Sequence, residues 1–380
     1  MTGKKTATIT WIKYYNFGTY LQAYALQQVI IRLGYENVIV DDTCIVEEGR
    51  ITNRSLPSRI IFLLKKIIIK ILSLNNKELY LFKKQQKKAI KKYESFKSSL
   101  LKIDYRTLPL TALGQRYDQY ICGSDQIWSP SDDIFSPYYY LAFTEKKKIA
   151  YAPSVGTTYY PEFFAAKTKP LLERFAHLSV RENRGKVLLK SVVDRDVETV
   201  ADPTLLLTKQ DWNLLLTNNN SSEKKRSYIL CYFLTKNIKY MDAVRAFSKK
   251  KGLPVKIFAT NHEYLSYGDE ALFCGPVDFM QAIKDAEIFF TDSYHGSIFA
   301  LQFEKVFYTF KRFSDSSPQN QNSRIEHLFS KIGIENYFIG EEDLDKMKHL
   351  PLIDYVQVKQ KISEYREHSI SYLSKALKSE

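Results

Sequence analysis

The chain has 380 residues, too many for one ordinary core, so two domains of roughly 150–200 residues each are expected. An apolar fraction of 44% excludes a disordered or fibrous chain. The formal charge of +14 is concentrated: residues 50–102 hold 15 Lys/Arg against two acidic residues, Glu78 and Glu94, and the remainder is close to neutral. No uncharged run reaches the length of a membrane span. Met1-Thr2-Gly3-Lys4-Lys5 leads straight into a strand-like segment, so no signal peptide is expected. Cys44, Cys122, Cys231 and Cys274 are scattered, which suits a reduced, cytoplasmic protein. No histidines or carboxylates show metal-ligand spacing, so no tightly held metal and no cofactor are expected.

Residues 7–12 read as a first strand, followed by the loop Lys13-Tyr14-Tyr15-Asn16-Phe17-Gly18. Residues 19–33 have helical spacing and stop at Gly34. A short strand at 38–40 closes on Asp41-Asp42, and the basic segment interrupts there. Within it, Arg59, Lys66 and Lys70 fall on one side of an otherwise apolar helix over 59–72, and a more highly charged helix follows over 83–97. That pattern fits contact with a membrane surface through 59–97, lysines toward anionic headgroups. The competing expectation is a helical pair packed on the first domain with solvated lysines. Nucleic acid is not an expected partner, because the segment is oilier than a phosphate-tracking surface requires.

The alternation resumes with strands at 117–122, 148–152, 178–181 and 199–201, each closing in a polar or glycine-bearing turn. A polar break over 217–226 reads as an exposed linker. A second series follows: strand 228–234, helix 237–250, strand 255–259, helix 276–286, a strand ending at 290, and strand 306–310. An amphipathic helix over 354–377 ends the chain. Strands alternating with helices predict an α/β protein of mostly parallel sheets covered on both faces. The expected boundaries are a first domain over 1–210 with the basic helical insertion at 50–102, a second over 211–350, and a C-terminal helix at 351–380 packing back on the first.

The most informative stretch is Thr291-Asp292-Ser293-Tyr294-His295-Gly296-Ser297, set between the apolar run ending in Ile288-Phe289-Phe290 and the apolar Ile298-Phe299-Ala300-Leu301. It puts an imidazole and several small polar residues where a strand hands over to a helix. In an open α/β sheet ligands bind at that edge, and the unpaired first N–H groups of a helix attract anions. Gly296 would let the backbone approach a bound group. The plainer alternative is a helix cap with the histidine packed into the turn.

Five motifs then occur in order: Asn16-Phe17-Gly18-Thr19-Tyr20-Leu21-Gln22-Ala23, Gly123-Ser124-Asp125-Gln126-Ile127-Trp128, Ser179-Val180-Arg181-Glu182, Asp202-Pro203-Thr204 and Thr291-Asp292-Ser293-Tyr294-His295-Gly296. Together they resemble the polysaccharide pyruvyl transferase family over about residues 6–335. The resemblance implies two Rossmann-like domains in a GT-B-like arrangement. It also implies transfer of the enolpyruvyl unit of phosphoenolpyruvate to a sugar of a surface polysaccharide or its lipid-linked precursor, giving a pyruvate ketal and phosphate. Phosphoenolpyruvate is then a donor substrate, and the work is done at the inner face of the cytoplasmic membrane. One position departs: family members carry Arg two positions before the motif histidine, where this chain has Ser293. Another cation would serve there, or the donor differs.

Phosphoenolpyruvate carries a carboxylate and a phosphate, so its pocket needs cations and aimed N–H donors. Arg181, at a strand end, is a candidate carboxylate clamp, its alternative being a structural pair with Glu182 or another nearby carboxylate. Arg324 is a candidate from the second domain. His295 is the expected general acid/base, a role contributing on the order of 10²–10⁴ in rate. Asp125 is the expected base toward the acceptor hydroxyl, set against an Asx-turn or helix cap. Ser293, Gly296, Ser297, Asn16, Gly18 and Ser124 are expected around substrate, and Trp128 as a sugar-stacking platform or else a core residue. Two other function classes stay open: a GT-B-type glycosyltransferase using a nucleotide sugar, and a non-catalytic membrane or polysaccharide-binding scaffold.

Overall fold

The structure is a computed structural model that describes residues 3–41, 77–105, 109–130, 135–216, 227–314, 317, 320–349 and 352–379. The first sheet contains β1 (Lys5–Ile9), β2 (Glu36–Val40), β3 (Ile103–Asp104), β4 (Gln119–Cys122) and β5 (Lys147–Ala150) in the order β3-β2-β1-β4-β5, every pair parallel. A small parallel pair, β6 (Ser179–Val180) and β7 (Glu198–Thr199), continues beyond β5. The second sheet contains β8 (Ile229–Tyr232), β9 (Val255–Phe258), β10 (Glu270–Leu272), β11 (Ile288–Thr291), β12 (Val306–Phe310) and β13 (Phe338–Ile339). Its order is β10-β9-β8-β11-β12-β13, again all parallel.

Both sheets follow from near-continuous apolar strands. Parallel strands covered by helices on both faces cannot alternate polar and apolar residues, and β4, β8 and β11 are buried at every position. In each sheet the chain winds outward to one side and then crosses to the other. β1/β4 and β8/β11 are therefore the points where strand order reverses and a crevice opens beyond the carboxyl ends.

The two halves share one apolar core rather than meeting through water. The helix Phe17–Arg32 starts just after β1, and its Phe17 ring stacks on Phe279 of the helix Pro276–Asp285 with centroids 4.3 Å apart. The helix Tyr294–Gln302 is buried at every residue, so its sequence shows no polar face. An interface of this apolar kind holds the two sheets in one relative position.

Within the basic segment the structure describes one long helix, Lys77–Leu100, which contains the expected 83–97 helix. Its inner side bridges the halves: Tyr93 stacks on Phe17, Lys92 pairs with Asp278 at 2.8 Å, and Glu94 accepts a hydrogen bond from Tyr15. The expected 59–72 helix and the 217–226 linker lie outside the described residues. The last helix, Tyr355–Lys378, reaches the first half: Tyr372 donates to the Ala150 carbonyl, Gln119 donates to the Leu377 carbonyl, and Ser369 accepts from the Ala201 amide. Among the described residues no helix is long and apolar enough to cross a membrane.

Candidate active site

A cavity of about 500 Å³ opens between the carboxyl edges of the two sheets. Its wall follows a rule. The second residue beyond each of four strands faces it: Trp11 after β1, Leu234 after β8, Ser293 after β11 and Arg312 after β12. Asp125 and Gln126 join from the loop after β4, and Gln321, Asn322 and Arg324 from the start of the helix Ser323–Ile332. Asn16 and Thr19 come from the opposite helix N-terminus.

Of the three helix N-termini that line this cavity, two are capped by a side chain. Asn16 caps one, its side-chain oxygen accepting from the Gly18 and Thr19 amides. Ser293 caps the other, its hydroxyl accepting from the Gly296 amide at 3.2 Å. The helices touch where His295 lies on Gly18: a Cβ at Gly18 would sit 1.9 Å from His295 Nδ1. Glycine at position 18 is thus a matter of space for the imidazole. Gly18→Ala should push the ring aside while the sheets stay formed, lowering turnover by as much as about 100-fold. Steady-state rates measured beside a thermal melt would check this.

Behind His295 stands a buried ion pair, Arg181 with Asp202. Asp202 Oδ2 lies 2.6 Å from Arg181 Nη1 and 3.3 Å from His295 Nε2, the latter a close approach rather than an aligned hydrogen bond. Asp202 Oδ1 accepts from the Thr204 amide and hydroxyl. Burial by itself would raise the Asp202 carboxyl, but His295 and Arg181 outweigh it and hold it well below the usual carboxylate range. Burial disfavours the Arg181 cation, and Asp202 more than offsets that, so Arg181 stays firmly protonated. Its guanidinium also lies 4.5 Å from the centre of the Tyr294 ring.

The expectation that Arg181 clamps a substrate carboxylate does not match its position. It is 1% exposed, outside the cavity wall, and committed to Asp202. The cations in the wall are Arg324 and Arg312. Arg324 gives one terminal nitrogen to Gln321 Oε1 at 2.9 Å. Burial, reinforced by Arg181, lowers it to about 10, still protonated at neutral pH. Arg312 donates from Nε to Thr235 and lies 3.9 Å from Asp292. Burial pushes the Asp292 carboxyl up to about 6, while Arg312 and the Leu234 and Thr235 amides restrain the rise. These two amides donate to its two oxygens, so Asp292 ties the loop after β8 to the end of β11.

Asp125 lies in the wall with a left-handed backbone (φ 71°). One carboxylate oxygen accepts from Thr19 at 2.7 Å, across the first half of the cleft, and the other from the Gln126 amide. Of the remaining expected residues, Asn16 and Ser293 reach the cavity as caps. Four do not. Trp128 is fully buried, stacked on Tyr140 and bonded to the Tyr139 carbonyl, so it is a core residue and not a sugar platform. Ser124 is enclosed and donates to the Ala152 carbonyl. Ser297 is enclosed between the Ser293 carbonyl and Thr309. Gly296 faces Thr291 and Tyr232 in the packed interior, where a Cβ would lie 2.6 Å from the Thr291 hydroxyl. Gly18 serves by making room for His295; its amide is spent on Asn16.

Sequence reasoning missed Arg312, Thr19, Asp292 and Gln321. The signal for Arg312 was present: it stands two residues past an apolar strand, as Ser293 does. Among the described residues no group of His, Cys, Asp and Glu could hold a metal ion.

The profile of the polysaccharide pyruvyl transferases matches residues 16–312, a span that includes the ends of β4, β8, β11 and β12 at the cavity, while the end of β1 precedes it. The chain belongs to the polysaccharide pyruvyl transferase family. The protein is accordingly a transferase of that family. No curated protein sequence matches it. Among solved structures, this pyruvyl transferase family member is similar to the S. aureus MnaA–UDP co-structure, at TM-score 0.53 and 13% identity, covering 95% of this chain and 91% of that one. It is also similar to a putative UDP-N-acetylglucosamine 2-epimerase from Listeria monocytogenes, at TM-score 0.51 and 9% identity, covering 96% and 91%. At such identities the likeness concerns the fold alone, and the fold is GT-B: two Rossmann-like sheets with a cleft between their carboxyl edges.

Proposed function

We propose that this protein moves the pyruvyl group of phosphoenolpyruvate onto two hydroxyls of a sugar in a surface polysaccharide or its lipid-linked precursor. The observation that carries this reading is one cavity wall holding an imidazole, His295, backed by Asp202, together with two arginines, Arg312 and Arg324. A small dianion needs that charge pattern, and a ketal-forming transfer needs a proton carrier beside it. The arginine absent at position 293 is replaced in function by these two, which enter from β12 and from the helix Ser323–Ile332.

The methylene carbon of the enol gains a proton, and the first sugar hydroxyl adds to the adjacent carbon. The phosphate leaves with its bonding pair, and the second hydroxyl adds to the same carbon, closing the ketal. Of the two protons lost by the hydroxyls, one replaces that delivered to carbon and the other leaves with phosphate or solvent. In this scheme His295 delivers the proton, Asp125 receives one from an acceptor hydroxyl, and Arg312 and Arg324 hold the carboxylate and phosphate.

The test is release of phosphate from phosphoenolpyruvate that depends on an acceptor glycan, with the ketal identified on the product by mass spectrometry. A thermal-shift panel supplies a second readout. Stabilisation by phosphoenolpyruvate and not by nucleotide sugars supports the reading, while the reverse turns it toward a glycosyltransferase. Arg312→Ala and Arg324→Ala should each lower kcat/KM for the donor by about 10–100-fold, the value of one charge-assisted contact. Unchanged donor kinetics in both variants would remove the arginines from the scheme.

A further inference from the structure

We propose that the lysine face of the helix Lys77–Leu100 docks this protein on a membrane surface of anionic lipid. The helix carries eight lysines against two glutamates. Its buried residues, Phe82, Ala89, Tyr93 and Phe96, define the side held by the protein. At about 100° per residue, Lys77, Lys84, Lys88 and Lys91 fall within a narrow arc on the other side, with Lys87 at its edge. All five are exposed. Tyr80 and Leu81 flank that arc and stand out at 49% and 46% exposure. Lys92 and Lys97, nearer the protein, are paired with Asp278 and Asp41 instead.

A cationic stripe edged by an aromatic and an aliphatic side chain suits headgroups above acyl chains. Lysines alone would suffice to track the phosphates of a nucleic acid, and Tyr80 and Leu81 would be left in water. The same helix faces the cleft from within: Gln86, Ala89, Ile90 and Tyr93 line a second cavity of about 240 Å³ that shares Asn16 and Leu234 with the main one. A membrane on the outer face would therefore lie one helix diameter, about 10 Å, from a chamber adjoining the reacting groups. The docking requires neither donor nor acceptor, so it stands apart from the reaction proposed above.

Co-sedimentation of the full chain with vesicles tests it. Binding is expected to vesicles of phosphatidylcholine mixed with phosphatidylglycerol, to fall as salt rises, and to be weak on phosphatidylcholine alone. The triple variant Lys84→Gln, Lys88→Gln, Lys91→Gln should bind on the order of a hundredfold more weakly, about fivefold for each lysine. Tyr80→Ser with Leu81→Ser should weaken binding while leaving its salt dependence in place. These positions are exposed, so melting temperatures should not move. Equal affinity for neutral and anionic vesicles, absence of binding, or parental affinity in the triple variant each overturns the proposal. So does tighter capture of a single-stranded RNA than of anionic vesicles by the same lysines.

Discussion

His295→Ala should lower turnover by about 10²–10⁴ while the protein remains folded. The imidazole is the titratable group in the cavity wall that is held from three sides: by the start of its own helix, by Gly18 opposite, and by Asp202 behind. A side chain fixed in this way has lost its rotamer freedom before substrate arrives, which is the condition for efficient proton transfer. Its removal leaves Asp202 paired with Arg181 and the caps at Asn16 and Ser293 untouched, so little stability should be lost. The measurement is acceptor-dependent phosphate release in a variant whose circular dichroism and melting curve match the parent. Near-parental turnover in a folded His295→Ala protein would take the imidazole out of the reaction and leave the two arginines as a binding site alone.

How far this site was legible in the sequence depends on which interaction fixed each residue. Strand-to-helix junctions were readable, because an apolar run ending at Phe290 or Cys122 and followed by small polar residues has few other ways to fold. His295, Asp125, Asn16, Ser293 and Arg324 all reach the cavity from such junctions or helix starts. Direction within a junction was not readable. Gly296 is rotated by about 100° from its neighbour His295, toward Thr291 and Tyr232, and Ser297 lies one turn deeper along the helix than Ser293, enclosed against Thr309. Arg181 ends a strand too, but β6 belongs to the small side pair, set behind the wall rather than at its edge. The fold class came from the period of the apolar pattern, whereas β3, β10 and β13 were missed. Strands of two or three residues at or near a sheet edge carry too few positions to show any period.

The Arg181–Asp202 pair sets up the second large effect. Asp202→Asn should cost about 3–5 kcal/mol, because it leaves the guanidinium of Arg181 buried without its counter-charge. Both side chains are wholly enclosed, so water cannot screen the loss. Asparagine keeps an oxygen for the Thr204 amide, so the helix cap survives and the charge is what is tested. Its amide nitrogen would also meet Arg181 Nη1, setting donor against donor. In a cooperative unit of 150–250 residues such a loss lowers the melting temperature by on the order of 10 °C. The pH dependence has a definite sign. The folded Asp202 carboxyl is held below its ordinary value, so its contribution is fully present above the unfolded value near pH 4 and is lost as pH falls toward the folded one. Adding Arg181→Met to Asp202→Asn removes the stranded cation and should recover most of the stability, though not the support of His295. If the double variant melts no higher than Asp202→Asn alone, the cost lies in the cap or the packing, and not in the stranded charge of Arg181.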